Sequence, residues 1–577
     1  MTTAEEGGAG PAPAGPSFWQ LFKPKIFTVL AEGYGWAHLR RDAVAGLTVA
    51  VVALPLAMAL AIASGATPEK GLITAVVAGF LISALGGSRF QIGGPTGAFV
   101  VVVFNVIAQH GYDGLLLATL MAGAMLVAAG LLRFGTWIKY IPEPVVTGFT
   151  AGIAVIIFTS QLKDLFGLAP ASLPADFLPK LHALWGARAT FDAATFAIAG
   201  TALAAILLLR RFAPRFPAFL IAVVGASLAV WALGLPVETI GSRFGAIPSS
   251  LPLPQLPAFS LQQAVEVLPS AFTIAFLAGI ESLLSAMVAD GMTGARHRSN
   301  CELVAQGVAN TVSACFGGLP ATGAIARTAT NIRSGARSPV AGMLHAAFLL
   351  AFMLLAAPLA AYVPLASLAA VLVIVAWNMS EIDKFRHLLS APPGDAVVLL
   401  VTFGLTVMVD LTVAIEVGVV MAAILFMHRM AQVVQVEKGV GFLQGDIDDA
   451  QLPALDYAFQ KLPAGVEMFS LRGPLFFGAA RSLRDALDAM PVPPRVFILR
   501  MRNVPMIDSS GVAALSEFIR RCRVKGVAVI VSGIRPQPKD VLARMGFDGS
   551  HDNLRLAENF AVAREMATAM IESGVAE

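Results

Sequence analysis

Long apolar runs recur along this chain from about residue 43 to 428, each near the roughly 20 residues that an α-helix needs to cross a bilayer. Fourteen runs are read, at 43–63, 70–86, 96–109, 114–133, 144–160, 192–209, 217–235, 266–289, 301–316, 323–334, 340–361, 365–377, 395–409 and 411–428. A soluble core has no room for so many helices that are apolar all round, so the pattern dictates a polytopic α-helical membrane protein. Composition agrees: 57% of residues are hydrophobic and only 13% charged, against about 25% charged in soluble domains. A formal charge of +3 and the lack of any basic run interleaved with aromatics argue against nucleic acid as a partner. The surrounding partner is membrane lipid.

Charge then orients the spans. An even number of crossings puts both termini on one side, and loops on that side carry 17 Lys and Arg residues against 5 on the other, namely Lys70, Lys163, Lys180, Arg188 and Arg243. Basic loops stay inside, so both termini are expected in the cytoplasm, with the protein multi-pass in the plasma (inner) membrane. The first sixteen residues are rich in Gly, Ala and Pro and lack the basic stretch and short apolar core of a signal peptide. Cys301, Cys315 and Cys522 are too few for a disulfide framework and read as small core residues in a reducing setting.

Beyond the last span the pattern changes period. The segments 466–471, 495–500 and 527–532 read as strands, with helical stretches at 478–490, 510–524, 537–545 and 558–572. The expected organisation is an N-terminal cytoplasmic segment (1–37), a transmembrane domain (38–429), a polar connector (430–465) and a cytoplasmic α/β domain (466–577).

Two of the fourteen spans are too short to cross alone. Gly93, Gly94 and Pro95 delay the third helix until near Thr96, which leaves 14 residues before Gln109, roughly 20 Å against a hydrocarbon core of about 30 Å. Gly317, Gly318 and Pro320 do the same for the tenth, whose helix is expected from near Thr322 to about Ser334. Gly93–Ala98 also matches Gly317–Ala324 with two residues inserted, and the offset of 226 carries Pro55 in the first span onto Glu281 in the eighth. The chain therefore reads as two inverted seven-helix repeats.

Inversion makes the two helix N-termini face each other near the midplane. Each brings partial positive charge and unpaired backbone N–H groups, together an anion seat, with the Thr96 and Thr322 hydroxyls as further donors. The alternative, that these glycines only let helices pack closely, suits one such motif better than a symmetric pair. Glu281 lies inside the eighth span, and an ionisable residue there is functional by default. It is expected to carry a proton beside the anion, while Arg327 adds a full positive charge. The competing reading is a structural Glu281–Arg327 ion pair. No GxxxxGK[ST] loop, metal-ligand spacing or Ser/His/Asp constellation is present, so neither ATP-driven transport, nor a metal, nor a cofactor, nor an enzymatic role is expected.

The stretch IESLLSAMVADGMTGARHRSNCELVAQGVANTVSACFGGLPATGAIARTATNIRSGARSPVAG resembles the SulP (sulfate permease) family over a chain region of about 38–575, and Arg495–Arg500 followed by NVPMIDSSGVAALSEF is similar to a STAS domain. The resemblance implies a fourteen-helix elevator-like transporter of a small inorganic anion, with its repeats divided into core and gate parts, commonly a homodimer. It implies a binding site drawn from Pro55, Leu56 and Ala57, Thr96, Gly97 and Ala98, Ser285, and Gly323, Ala324, Ile325, Ala326 and Arg327, with Glu281 coupling the anion to a proton, or to sodium.

Two departures stand out. Leu56 occupies a position where many members carry Gln or Glu, and Arg327 stands where sodium-coupled bicarbonate members tend to place a small hydroxyl residue. These lean towards proton coupling or exchange, with sulfate ahead. VALPLAMALAIASG and QIGGPTGAFVVVV also resemble the bicarbonate branch, and dicarboxylates stay open. In STAS-like regulators the serine after the Asp is phosphorylated, here Ser509; the simpler reading is that Asp508, Ser509 and Ser510 cap a helix. A membrane-anchored STAS regulatory module and a passive anion channel are the readings outside active transport.

Overall fold

The computed structural model describes residues 18–136, 142–174, 176–213, 216–257, 260–433, 435–438, 462–476, 493–546 and 553–573. The chain divides into two compact units, Met1–Val420 and Met421–Glu577, and the line between them falls within the Leu411–Val433 helix.

The apolar runs fall mainly in helices, though those at 96–109 and 323–334 begin in non-helical chain ahead of Ala98 and Ile325. Among the described residues nine helices are long and apolar enough to cross a membrane, from Trp36–Ala63 to Leu411–Met430, while Ala218–Leu233 and Pro393–Met408 are apolar but shorter. The runs 96–109 and 114–133 share one element, Ala98–Leu131, interrupted at Gly111, where φ is +71°. Ser299–Cys315 and Ile325–Arg333 are the polar members of the set.

The helices pack in two neighbourhoods. Trp36–Ala63, Pro68–Leu85, Ala98–Leu131, Leu261–Thr293, Ser299–Cys315, Ile325–Arg333 and Val340–Ala360 form one. Glu143–Phe166, Ala193–Phe212, Ala218–Leu233, Leu365–Met379 and Pro393–Met408 form the other. Five short helices among the described residues were not foreseen: Phe18–Phe22 and Lys25–Ala31 in the N-terminal segment, Ile240–Phe244, Phe177–Gly186 between Glu143–Phe166 and Ala193–Phe212, and Ile382–Leu389. The last two are amphipathic and too brief to register as spans.

The second unit holds a five-stranded sheet in the order Gln435–Lys438, Val466–Arg472, Val496–Asn503, Ala528–Ser532, Leu554–Ala557. The first pair is antiparallel and the rest are parallel. Alternation along the central strands builds two cores, because successive side chains point to opposite faces. Phe469, Phe497, Leu499 and Val531 pack on Leu515 and Phe518 of Ser509–Val524. Met468, Ile498 and Ile530 pack on Phe560, Ala563 and Ala567 of Phe560–Glu572.

Two expectations need correction here. Gln435–Lys438 falls in the stretch read as a polar connector yet forms an edge strand, since its backbone finds Val466–Arg472 to pair with. Leu554–Ala557 was missed because only its end residues are buried. The rest of the connector at 439–461 and the helix expected at 478–490 lie outside the described residues, as do residues 1–17 of the N-terminal segment.

Candidate functional site

An extended backbone deep in a membrane protein is tolerated only where every N–H and C=O finds a partner. The two Gly/Pro-broken segments solve this by pairing with each other. Gly93 and Gly94 form a two-residue antiparallel ladder with Gly323 and Thr322, and the Ala324 amide extends it by donating to the Ile92 carbonyl at 2.8 Å.

Polar side chains complete the set. Thr328 Oγ1 accepts from the Ile92 amide at 3.1 Å, and Thr74 Oγ1 from the Leu319 amide at 2.7 Å. Asn310 both accepts from the Ala321 amide and donates to its carbonyl, each at 2.8 Å, and Asn331 Nδ2 donates to the Phe90 carbonyl at 2.9 Å. Sequence reasoning missed these four side chains. The signal available was a lone polar residue inside a span that flanks a Gly/Pro break, which is costly in a membrane unless it binds backbone.

Only glycine fits at two points of the ladder. Gly94 has φ of +149°, and a Cβ there would lie 2.6 Å from Arg327 Nη1. A Cβ on Gly323 would lie 1.7 Å from Gln91 Nε2. The close approach of the two segments therefore depends on both positions lacking a side chain.

The helices begin later than the sequence indicated. The first starts at Ala98 with Gly97 as its cap, and the second at Ile325 with Ala324 as its cap, because Thr322 and Gly323 are spent in the ladder. The hydroxyls are also committed. Thr96 Oγ1 donates to Glu281 Oε2 at 2.8 Å, and Thr322 Oγ1 to the Ala278 carbonyl at 3.0 Å. Neither is a spare donor for a bound anion.

Arg327 is 3% exposed. Its Nη2 donates to the Pro95 carbonyl at 2.6 Å, which tethers the second segment to the first. Its Nε and Nη1 have no hydrogen-bond partner among the described residues, so a buried guanidinium carries two unsatisfied donors. No ion pair joins it to Glu281; that carboxylate turns to Thr96 instead. Ser285 Oγ donates to Thr328 Oγ1 at 3.1 Å, so the eighth span touches the second segment through a buried hydroxyl pair.

Thr96, Glu281, Ser285 and Arg327 thus converge around the ladder, with Gly97, Ala98 and Ala324 buried beside them and Ile325 and Ala326 exposed. Pro55, Leu56 and Ala57 stand differently. Pro55 faces an apolar groove with Met58, Leu220 and Phe352, and the Ala57 carbonyl packs against Gly71. No hydrogen bond among the described residues ties these three to Arg327 or Glu281. In the second unit, Asp508 accepts from the Gly511 amide at 2.7 Å and caps the helix whose first residue is Ser509.

The two interrupted helices thus meet at a buried guanidinium within a polytopic helical membrane protein, and a mixed α/β sheet domain follows the last helix. The chain belongs to the sulfate permease family, whose model matches residues 39–402, and a STAS domain matches residues 461–561. It is 42% identical to the "Putative sulfate transporter YvdB" of Bacillus subtilis, over 89% of this chain and 95% of that one. Its identity to the bicarbonate transporter BicA of Synechocystis is 32%, over 88% of this chain and 90% of that protein. The fold is shared with the murine solute carrier 26 family member A9 anion transporter, with a TM-score of 0.84 at 18% identity, covering 97% of this chain and 96% of that one.

Proposed function

We propose that this protein is a secondary transporter of a small inorganic oxyanion, sulfate first, that seats the anion where the two broken segments meet. The observation that carries this reading is Arg327, buried in that junction with two guanidinium nitrogens that have no partner among the described residues. A buried cation with spare donors is stabilised by an anion, and an oxyanion offers the acceptors that a guanidinium fork requires. The starts of Ala98–Leu131 and Ile325–Arg333 add partial positive charge at the same place.

The seat draws on Thr96, Gly97, Ala98, Ser285 and Gly323 to Arg327, with Pro55 to Ala57 closing it from the first span. Glu281 couples the anion to a proton, with Thr96 holding its carboxylate. The antiparallel ladder between the segments supports two inverted repeats of seven helices and fourteen crossings, because inverted copies bring corresponding strands together head to tail. The transport domain ends near residue 429, both termini lie in the cytoplasm at the inner membrane, and the protein works as a homodimer. The STAS domain regulates assembly or activity, with Ser509 as the position for a phosphate.

Sulfate leads because of the 42% identity to YvdB. Bicarbonate is the second reading, favoured by the 32% identity to BicA over nearly the whole chain. Uptake of labelled sulfate, bicarbonate, chloride and a dicarboxylate into proteoliposomes, with and without proton or sodium gradients, separates them. Saturable, proton-driven sulfate uptake is expected. Flux that rises without saturation and ignores both gradients would mark a passive channel, and no flux of any anion would leave only the regulatory module.

A further inference from the structure

Positive charge is scarce on the outer side of this protein, with five Lys and Arg residues assigned there by the loop count. Three of the five line a single cavity. Lys163, Lys180 and Arg243 surround a space of about 150 Å³, room for several waters or one small, partly hydrated anion. The cavity begins at Val100 and Val101, two and three residues into the helix that starts at the seat with Ala98. It is closed by Ile62 and Ala63 at the end of Trp36–Ala63 and by Ser160 and Gln161 near the end of Glu143–Phe166. Its walls therefore come from both helix neighbourhoods, at the ends that the charge count places outside.

The charges in it do not balance. Arg243 is satisfied, by Asp164 at 3.0 Å and Glu238 at 2.6 Å. Asp164 is the carboxylate of the cavity wall and is taken up by that pair, which leaves Lys163 and Lys180 over. Lys180 is only 3% exposed and makes no ion pair among the described residues; its ammonium lies 4.9 Å from the centroid of the Phe104 ring. An aromatic face recovers part of the cost of burying a cation, and an anion would recover more. That cost shows in the Lys180 ammonium, which burial draws below the usual lysine range while Asp176 opposes the shift. The residue is held there by the Phe177–Gly186 helix, whose buried face consists of Lys180 and Leu184. A lysine whose only task was solubility would point the other way.

We propose that this cavity is an outer anion-binding station, in which Lys180 and Lys163 receive a small inorganic oxyanion before it passes to the seat. The proposal rests on the transport reading above and adds to it a second site with its own recognition residues. A charge pair of this kind concentrates the anion at the entrance and makes entry sensitive to ionic strength.

The test is labelled-sulfate uptake by right-side-out and inside-out vesicles of the full-length protein, with labelled bicarbonate as a second probe. Lys180→Gln should raise the half-saturating sulfate concentration at the outer face about fivefold or more, and flatten its dependence on ionic strength. At the inner face it should stay that of the unaltered protein. Lys180→Arg, which keeps the charge, should restore outer-face affinity to within about twofold. Lys163→Gln should shift the same parameter in the same direction and serves if the first variant fails to insert. An unchanged outer-face value in these variants, or an equal shift at both faces, would overturn the station while leaving the transport reading intact. Absence of flux in the unaltered protein would overturn both.

Discussion

The two broken segments share a backbone solution and differ in what they place at the junction. The first runs through Gly93, Gly94 and Pro95 into the long apolar helix Ala98–Leu131, and contributes backbone and one hydroxyl already bound to Glu281. The second runs through Thr322 and Gly323 into a helix of nine residues that carries Arg327, Thr328 and Asn331 on its buried face. Geometry is repeated and chemistry is not. One segment supplies the carboxylate's anchor and the other the cation, which under the proposed function lets the junction take an anion and a proton without the two charges neutralising each other. An ion pair between Glu281 and Arg327 would have left a neutral, inert junction.

This contrast can be broken most severely at its glycines. Gly323→Val should abolish transport and lower the yield of folded protein, since its Cβ would land 1.7 Å from the buried Gln91 amide. Gly94→Ala places a Cβ 2.6 Å from Arg327 Nη1 at a φ of +149° that favours glycine, and should likewise lower both folded yield and activity. Expression and flux in both variants equal to those of the unaltered protein, measured by size-exclusion yield and sulfate uptake, would mean that the ladder is not under steric constraint.

Glu281→Gln is the next largest. It keeps an acceptor for Thr96 and removes the charge, so proton-driven accumulation should collapse while anion exchange between equal concentrations persists. Undiminished accumulation would assign coupling elsewhere. A smaller effect is expected from Thr328→Val, which leaves the Ile92 amide and the Ser285 hydroxyl without their partner. Unmaking such a buried bond costs about 1–3 kcal/mol, to be read as a lower unfolding temperature in detergent.

The smallest change lies in the STAS domain. Asp508→Ala should weaken the Ser509–Val524 helix by about 1 kcal/mol, seen in the full-length protein as faster amide exchange in its first turn. Ser509→Ala should leave that exchange unchanged, because Asp508 provides the cap.

How much of this could be read in advance follows from the range of the forces involved. Apolar runs and Gly/Pro breaks act locally, and the helices around 43–63, 144–160 and 340–361 lie where those runs indicated. The break positions were legible for the same reason, and so were the strands at 466–471, 495–500 and 527–532, which contain mostly buried residues. The exact helix starts were not. Whether Thr322 opens a helix or joins a ladder depends on Gly94, more than two hundred positions away, and no local preference records that partner. The same holds for Thr96 with Glu281 and for Arg327 with Pro95. Pro55, which the family resemblance assigns to the seat, also lines an apolar groove with Met58 and Leu220, a contact that no local sequence signal records.

The claim that an anion sits against Arg327 is tested most directly by equilibrium binding of labelled sulfate to the purified full-length protein and to Arg327→Ala. Hydrogen bonds to a charged group contribute about 1.5–3 kcal/mol, so sulfate affinity is expected to fall at least about tenfold, with folding retained by size-exclusion profile. Sulfate affinity in Arg327→Ala equal to that of the unaltered protein would contradict the seat and leave Arg327 as no more than the tether to Pro95.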